Sequence, residues 1–213
     1  MCGESNAMPI LGEPAPDFEA LTTNGMVKLS DFKGKWLVLF SHPADFTPVC
    51  TTEFIAFSAI ADELKSLNVQ LMGLSIDSVH SHLAWIRNVK EKMGVDIPFP
   101  IIADLDMNVA KKYGMIHPGQ SSTAAIRAVF FIDDKGILRA MIYYPLTAGR
   151  YMPEIIRLVK SLQATDKYGV ATPANWQPGD KVVVPAPKNK AEMDKRLSEG
   201  YECKDWYLCF KKL

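Results

Sequence analysis

Ser41-His42-Pro43-Ala44-Asp45-Phe46-Thr47-Pro48-Val49-Cys50-Thr51-Thr52-Glu53 decides how the rest of the chain is read. Before it, Trp36-Leu37-Val38-Leu39-Phe40 is a short unbroken apolar run, the pattern of a buried strand. After it, Phe54, Phe57, Ala61 and Leu64 recur at helical spacing. The stretch is therefore a strand-to-helix turn with one cysteine at the start of the helix. Thr47 suits the N-cap, and Pro48 suits the first helical position, where a missing N–H costs nothing. Cys50 then falls third in the helix, among unpaired backbone N–H groups at the positive end of the dipole. A thiol held there carries more of its nucleophilic thiolate form near neutral pH. The plainer alternative is a small buried cysteine that happens to open a helix. The cap and the Thr47 hydroxyl one turn earlier weigh against it.

Outward from this turn, strands alternate with helices. Met26-Val27-Lys28-Leu29 reads as a short strand and Val69 to Ile76 as a second apolar one. Asp77-Ser78 offers a cap for a helix with Leu83, Ile86 and Lys90 along it. Pro98 to Ile102 predicts a short strand, and Met107 to Tyr113 a short helix closed by Gly114. Asp133-Asp134-Lys135-Gly136 between two apolar runs, 128–132 and 137–144, signals a hairpin. Tyr151 to Gln163 is the last long helix. This order predicts an α/β domain with a mixed central sheet over residues 8–164. From Thr165 the texture changes, and Pro173, Pro178, Pro185 and Pro187 break any long element. Residues 165–213 are expected to form an arm packed on the domain or on a partner subunit, being too few and too proline-rich to bury much core alone.

The bulk numbers narrow the function. The chain has 213 residues and a formal net charge of zero, so no broad basic field favours nucleic acid or an anionic membrane. No apolar run approaches the roughly 20 residues that span a bilayer, and the N-terminus lacks the basic-then-apolar pattern of a secretory leader. Four cysteines, unevenly spaced, are too few for a disulfide scaffold. A cytoplasmic chain that keeps its cysteines for chemistry is the expectation. Cys2 lies in a leader that reads as dispensable and is given no role. His80 and His82 lie two apart and His117 is isolated, no cysteine pair has zinc spacing, and no glycine-rich phosphate loop occurs. No metal and no cofactor are expected.

Pro43-x-x-x-Thr47-x-x-Cys50 resembles the active-site motif of the peroxiredoxins, the thiol peroxidases. The longer stretch from Phe40 to Glu53 is similar to that of the 1-Cys, peroxiredoxin 6-like subfamily, and the resemblance runs from about Pro9 to the C-terminus. It implies a thioredoxin-like fold with a C-terminal arm. It also implies roles for Cys50 as peroxidatic cysteine, Thr47 as hydroxyl donor and Pro43 as a shield that offers no competing N–H. Arg127, just before the strand at 128–132, matches the family's catalytic arginine, and Glu53 and Arg150 match the partners that orient it. Without the resemblance Arg127 reads as a surface residue. His42 matches a histidine near the pocket, and reads equally well as a packed histidine at a strand end. Trp85 reads as core or interface rather than active site.

Attack on a peroxide leaves Cys50 as a sulfenic acid that a second thiol must recycle. Cys203 and Cys209 are the internal candidates, with Cys209 first because the more terminal residue travels more freely. A structural Cys203–Cys209 link, or two idle thiols, is the alternative. The simple 1-Cys pattern has no resolving cysteine, although some prokaryotic relatives carry C-terminal ones. The resemblance further implies hydrogen peroxide and organic hydroperoxides as substrates and an external thiol system of the thioredoxin kind as reductant. It also implies a homodimer, with rings of five dimers common, and the strand at 137–144 and the arm are the candidate contacts. Two other readings stand beside it. A thiol–disulfide oxidoreductase is disfavoured because no C-x-x-C opens the helix. A redox-sensing or chaperone-like oligomer would use Cys50 as its sensor.

Overall fold

The computed structural model describes residues 8–213; Cys2 lies outside the described residues. Its sheet is organised around β3 (Trp36–Ser41), all six residues of which are buried. β3 runs parallel to β4 (Val69–Ser75) on one side and antiparallel to β6 (Arg127–Ile132) on the other. β1 (Glu19–Thr22), β2 (Gly25–Lys28), β5 (Ile101–Ala103) and β7 (Leu138–Tyr144) complete seven strands in the order β2-β1-β5-β4-β3-β6-β7. Both edge pairs are antiparallel and the β3-β4-β5 centre is parallel, which is the mixed sheet expected. β1 is a strand the sequence did not announce, since Glu19-Ala20-Leu21-Thr22 is short and held mainly by its hairpin with β2.

The period of two in β3 divides the core. Leu37 and Leu39 join Met72, Leu74, Ile102, Phe130 and Tyr113. Phe40 stacks on Phe57 of α1 (Pro48–Ser66) at 3.9 Å between ring centroids and meets Phe54 edge-on at 5.4 Å. α1 begins at Pro48, the residue the sequence reading placed first in the helix. It lies close to β4 at Gly73, where an added Cβ would sit 3.1 Å from the Phe54 ring and 3.5 Å from Phe40. Gly73→Ala should therefore overpack this contact and cost about 1–3 kcal/mol, read as a lower urea midpoint at unchanged slope.

α2 (Val79–Met93) is capped by Ser78 and ends at Gly94, in the left-handed conformation that suits glycine there. His82, Trp85 and Val89 form its buried face, and Leu83 is exposed. α3 (Asn108–Lys112) closes on Gly114 as expected. No helix among the described residues is long and apolar enough to cross a membrane.

By its contacts the chain divides into two units between Met152 and Pro153. The second holds nearly all of α4 (Met152–Tyr168), β8 (Val182–Val183), α5 (Lys190–Arg196), β9 (Glu202–Asp205) and β10 (Leu208–Lys211). α4 outruns its expected end at Gln163, because the next residue able to stop it is Gly169, at φ 60°. The tail has more internal structure than its prolines suggest. β8, β10 and β9 form a three-stranded antiparallel sheet, and Val170, Trp176 and Val182 form a small core. Cys203 and Cys209 face each other across β9 and β10 and are joined by a disulfide. That is the structural-link alternative of the sequence reading, and in this state neither sulfur is a thiol.

Candidate active site

The site begins where β3 ends. Ser41 Oγ donates to the Ile126 carbonyl at 2.6 Å and accepts from the Ala128 amide at 3.1 Å. The start of β6 is thereby pinned beside the end of β3, and Arg127 sits between those two residues. The loop 42–47 then leads into α1. Thr47 occupies the N-cap with extended backbone, Pro48 is the first helical residue, and Cys50 is third. The Thr47 hydroxyl does not cap the helix, however. It donates to the Ala44 carbonyl at 2.8 Å, so its lone pairs are what remain for an incoming O–H. No side chain caps the first turn, whose N–H groups stay available to an anion.

Cys50 is a free cysteine with no exposed surface. Arg127 Nη1 donates to its Sγ at 3.3 Å and to Glu53 Oε2 at 2.8 Å, while Arg127 Nε donates to the Leu146 carbonyl at 2.9 Å. Glu53, one turn after Cys50 on α1, also accepts from Arg150. The Arg150 amide and Nε reach Glu53 Oε1 at 3.0 and 2.8 Å, and Nη2 reaches Oε2 at 2.7 Å. Arg150 Nη1 adds bonds to the Ser41 and Ala128 carbonyls at 2.8 and 3.0 Å. Its guanidinium lies 5.2 Å from the ring centroids of both Phe40 and Phe57. Burial pulls the Arg150 guanidinium down from its ordinary value, and Glu53 opposes that pull. Glu53, Arg127 and Arg150 are all buried. Two guanidiniums face one carboxylate, so the three fixed groups carry one net positive charge beside the Cys50 sulfur.

The sequence-predicted residues therefore converge. Cys50, Arg127, Glu53 and Arg150 form one hydrogen-bonded cluster, and Thr47 lies one turn before the sulfur. Pro43 is half-buried in the loop between β3 and α1. His42 is buried against Phe54 and Trp85, at 4.7 and 5.2 Å between centroids, and its Nε2 bonds Asp45 Oδ1 at 2.9 Å. Burial lowers its tendency to ionise, against the opposing pull of Asp45. Trp85 is core, as read.

Two residues escaped the sequence reading. Asp45 is buried, and its second oxygen bonds His82 Nδ1 of α2 at 2.8 Å. The signal was His82 on the same helical face as Trp85 and Val89, since a histidine on an apolar face needs a buried partner. His42, Asp45 and His82 bring possible metal-ligating atoms within 4.8 Å of one another. Their facing nitrogens and oxygens already meet at hydrogen-bond distance.

Comparison with known proteins accords with this geometry. Residues 11–141 match the model of the AhpC/TSA family, and residues 161–200 match the C-terminal domain of 1-Cys peroxiredoxin. A peroxiredoxin of Aquifex aeolicus is 63% identical, with 97% of this chain and 98% of that protein covered. One of Methanocaldococcus jannaschii is 53% identical over 97% and 100%. Among solved structures, a yeast mitochondrial 1-Cys peroxiredoxin superposes with TM-score 0.86 at 41% identity, covering 97% of this chain and 100% of that one. A cysteine-to-serine mutant of the peroxiredoxin 6 of Arenicola marina also gives TM-score 0.86, at 42% identity over 96% and 98%. The fold is thus the thioredoxin-like one, and the chain belongs to the peroxiredoxin family of thiol peroxidases, with the C-terminal domain of the 1-Cys type.

Proposed function

We propose that the Cys50 thiolate reduces hydrogen peroxide and organic hydroperoxides through a sulfenic acid, which the cysteines of the C-terminal unit and an external dithiol of the thioredoxin kind then recycle. The observation that carries the reading is Arg127 Nη1, shared between Cys50 Sγ and Glu53 in a buried cluster. The sulfur attacks the terminal oxygen of R–O–O–H. An S–O bond forms, the O–O bond breaks, and the departing alkoxide or hydroxide takes a proton to leave as alcohol or water. Charge moves from sulfur to the departing oxygen, and the guanidinium donates to both ends of that movement. Thr47, already donating to Ala44, accepts the peroxide O–H and lines the peroxide up for attack. The half-buried Pro43 shields the sulfur without adding a donor.

Recycling proceeds by thiol–disulfide exchange. The Cys209 thiol displaces water from the sulfenic acid and gives a Cys50–Cys209 disulfide. Cys203 then attacks Cys209, frees the Cys50 thiolate and leaves Cys203–Cys209, which the external dithiol reduces to two thiols. The bond between Cys203 and Cys209 supports this order, because it is the species the last internal step leaves behind. The homodimer, assembling to a decamer, and a reducing cytoplasmic setting belong to the same reading. β7 supports the dimer: it is an edge strand whose side chains from Arg139 to Tyr144 are half-buried.

Single-turnover and steady-state peroxide consumption, followed by non-reducing gels, test the recycling. Cys209→Ser should keep one oxidation per subunit but lose the disulfide-linked species and turnover with a small dithiol. Cys203→Ser should accumulate the Cys50–Cys209 species. Swapped results would exchange the two roles. Full turnover in both variants would leave the Cys203–Cys209 bond purely structural.

A further inference from the structure

The loop 42–47 has a conformation that needs holding. Phe46, an exposed bulky residue, stands at φ 55°, directly between Asp45 and the N-cap Thr47. A non-glycine residue there carries backbone strain, which persists only where the surroundings impose it. The polar ties that impose it gather on Asp45 and His42. The His42 amide donates to the Leu74 carbonyl of β4 at 2.9 Å, and the Asp45 amide donates to Asp77 Oδ2 at 3.0 Å. The Asp45 carboxylate takes His42 Nε2 on one oxygen and His82 Nδ1 on the other. His82 is itself anchored in the sheet, because its Nε2 donates to the Ile102 carbonyl of β5 at 3.1 Å.

Both nitrogens of His82 face acceptors. Nε2 meets the Ile102 carbonyl, which can only accept, and Nδ1 meets Asp45 Oδ2 at 2.8 Å, so the ring is held from both sides. Burial alone would raise the Asp45 carboxyl, but the hydrogen bonds from the two histidines outweigh it and hold the group well below the usual carboxylate range. A buried, charge-assisted pair of this kind adds little net stability over an apolar pair of the same size, and its use is to fix one arrangement. What it fixes is the start of α1. Cys50 has no exposed surface, so any thiol that meets its oxidised form needs that start to open.

We propose that His82, acting through Asp45, is a positioning residue that latches the 42–47 loop closed, and that the strength of this latch sets how often Cys50 is exposed. The inference rests on the peroxidase reading for its meaning but not for its measurement. His82→Leu removes the donor and leaves the Asp45 carboxylate one buried partner short. His82→Gln keeps an N–H that can reach Asp45 but cannot also serve Ile102. Losing a hydrogen bond to a charged group should raise the opened population about 10- to 100-fold.

The test is the rate of Cys50 alkylation by iodoacetamide in the reduced full-length protein with Cys2, Cys203 and Cys209 replaced by serine, so that Cys50 is the one thiol left. It is run across low urea concentrations beside the second-order rate with hydrogen peroxide. Faster alkylation with little urea dependence marks local opening, because global unfolding exposes much more surface and carries a steep slope. His82→Leu is expected to alkylate about 10- to 100-fold faster and to react more slowly with peroxide, with His82→Gln between it and the parent. Should the leucine variant fail to fold, the glutamine variant alone carries the comparison. Alkylation unchanged from the parent, or faster only with the full slope of global unfolding, overturns the latch. A parent protein inert to peroxide overturns the peroxidase reading and leaves the alkylation result to decide the latch separately.

Discussion

Cys50→Ser should consume no peroxide above the uncatalysed background, and Arg127→Leu should lower the second-order rate constant by about 10²–10³-fold. The two losses have different causes and different signatures. Serine keeps the size and place of the sulfur at the third helical residue, but its hydroxyl is not ionised and is a poor nucleophile toward oxygen. Leucine at 127 keeps the nucleophile and removes the donor 3.3 Å from it, leaving Glu53 and Arg150 to pair with each other. Residual turnover should therefore persist with leucine and be absent with serine. Stopped-flow peroxide consumption distinguishes them. Equal rates for Arg127→Leu and the parent protein would mean that the guanidinium only braces α1 against β6.

Glu53→Gln should be the most destabilising change at the site. Each oxygen of this buried carboxylate accepts from a guanidinium, and Oε2 serves both arginines. An amide in its place offers one oxygen, turns an NH₂ donor toward donors, and leaves two buried guanidiniums without their shared carboxylate. Breaking a buried pair in this way costs about 3–5 kcal/mol. For a chain of this size the thermal midpoint should fall on the order of 10 °C. Peroxide reactivity should fall with it, because the Arg127 geometry depends on the same carboxylate. Calorimetry of the parent and variant checks the shift, and a midpoint within about 2 °C of the parent, equivalent to roughly 1 kcal/mol or less, would refute the pairing argument.

Much of this site was legible in the chain because its key part is local. One strand, one turn and one helix carry His42, Pro43, Thr47, Cys50 and Glu53, and proline at the first helical position with threonine before it set the start of α1. Arg127 and Arg150 lie 77 and 97 residues from the groups they bond, and only the resemblance singled them out. The function of the Thr47 hydroxyl was not legible, since a cap residue and a residue bonded to the Ala44 carbonyl have the same sequence signature. The Asp45–His82 pair was missed for want of a local pattern, its members being 37 residues apart. The sequence reading placed Leu83, Ile86 and Lys90 along α2 and read Trp85 as core without singling out His82, which shares the buried face with Trp85. In the tail, proline counts concealed a three-stranded sheet, and only the register of β9 on β10 shows that Cys203 and Cys209 are opposite one another.

Arg127 and Arg150 set against Glu53 leave one fixed net positive charge beside the buried Cys50 sulfur. On the proposed peroxidase reading, a neutral sulfenic acid would give that charge no counter-ion, whereas a sulfinate, one oxidation further, would supply one.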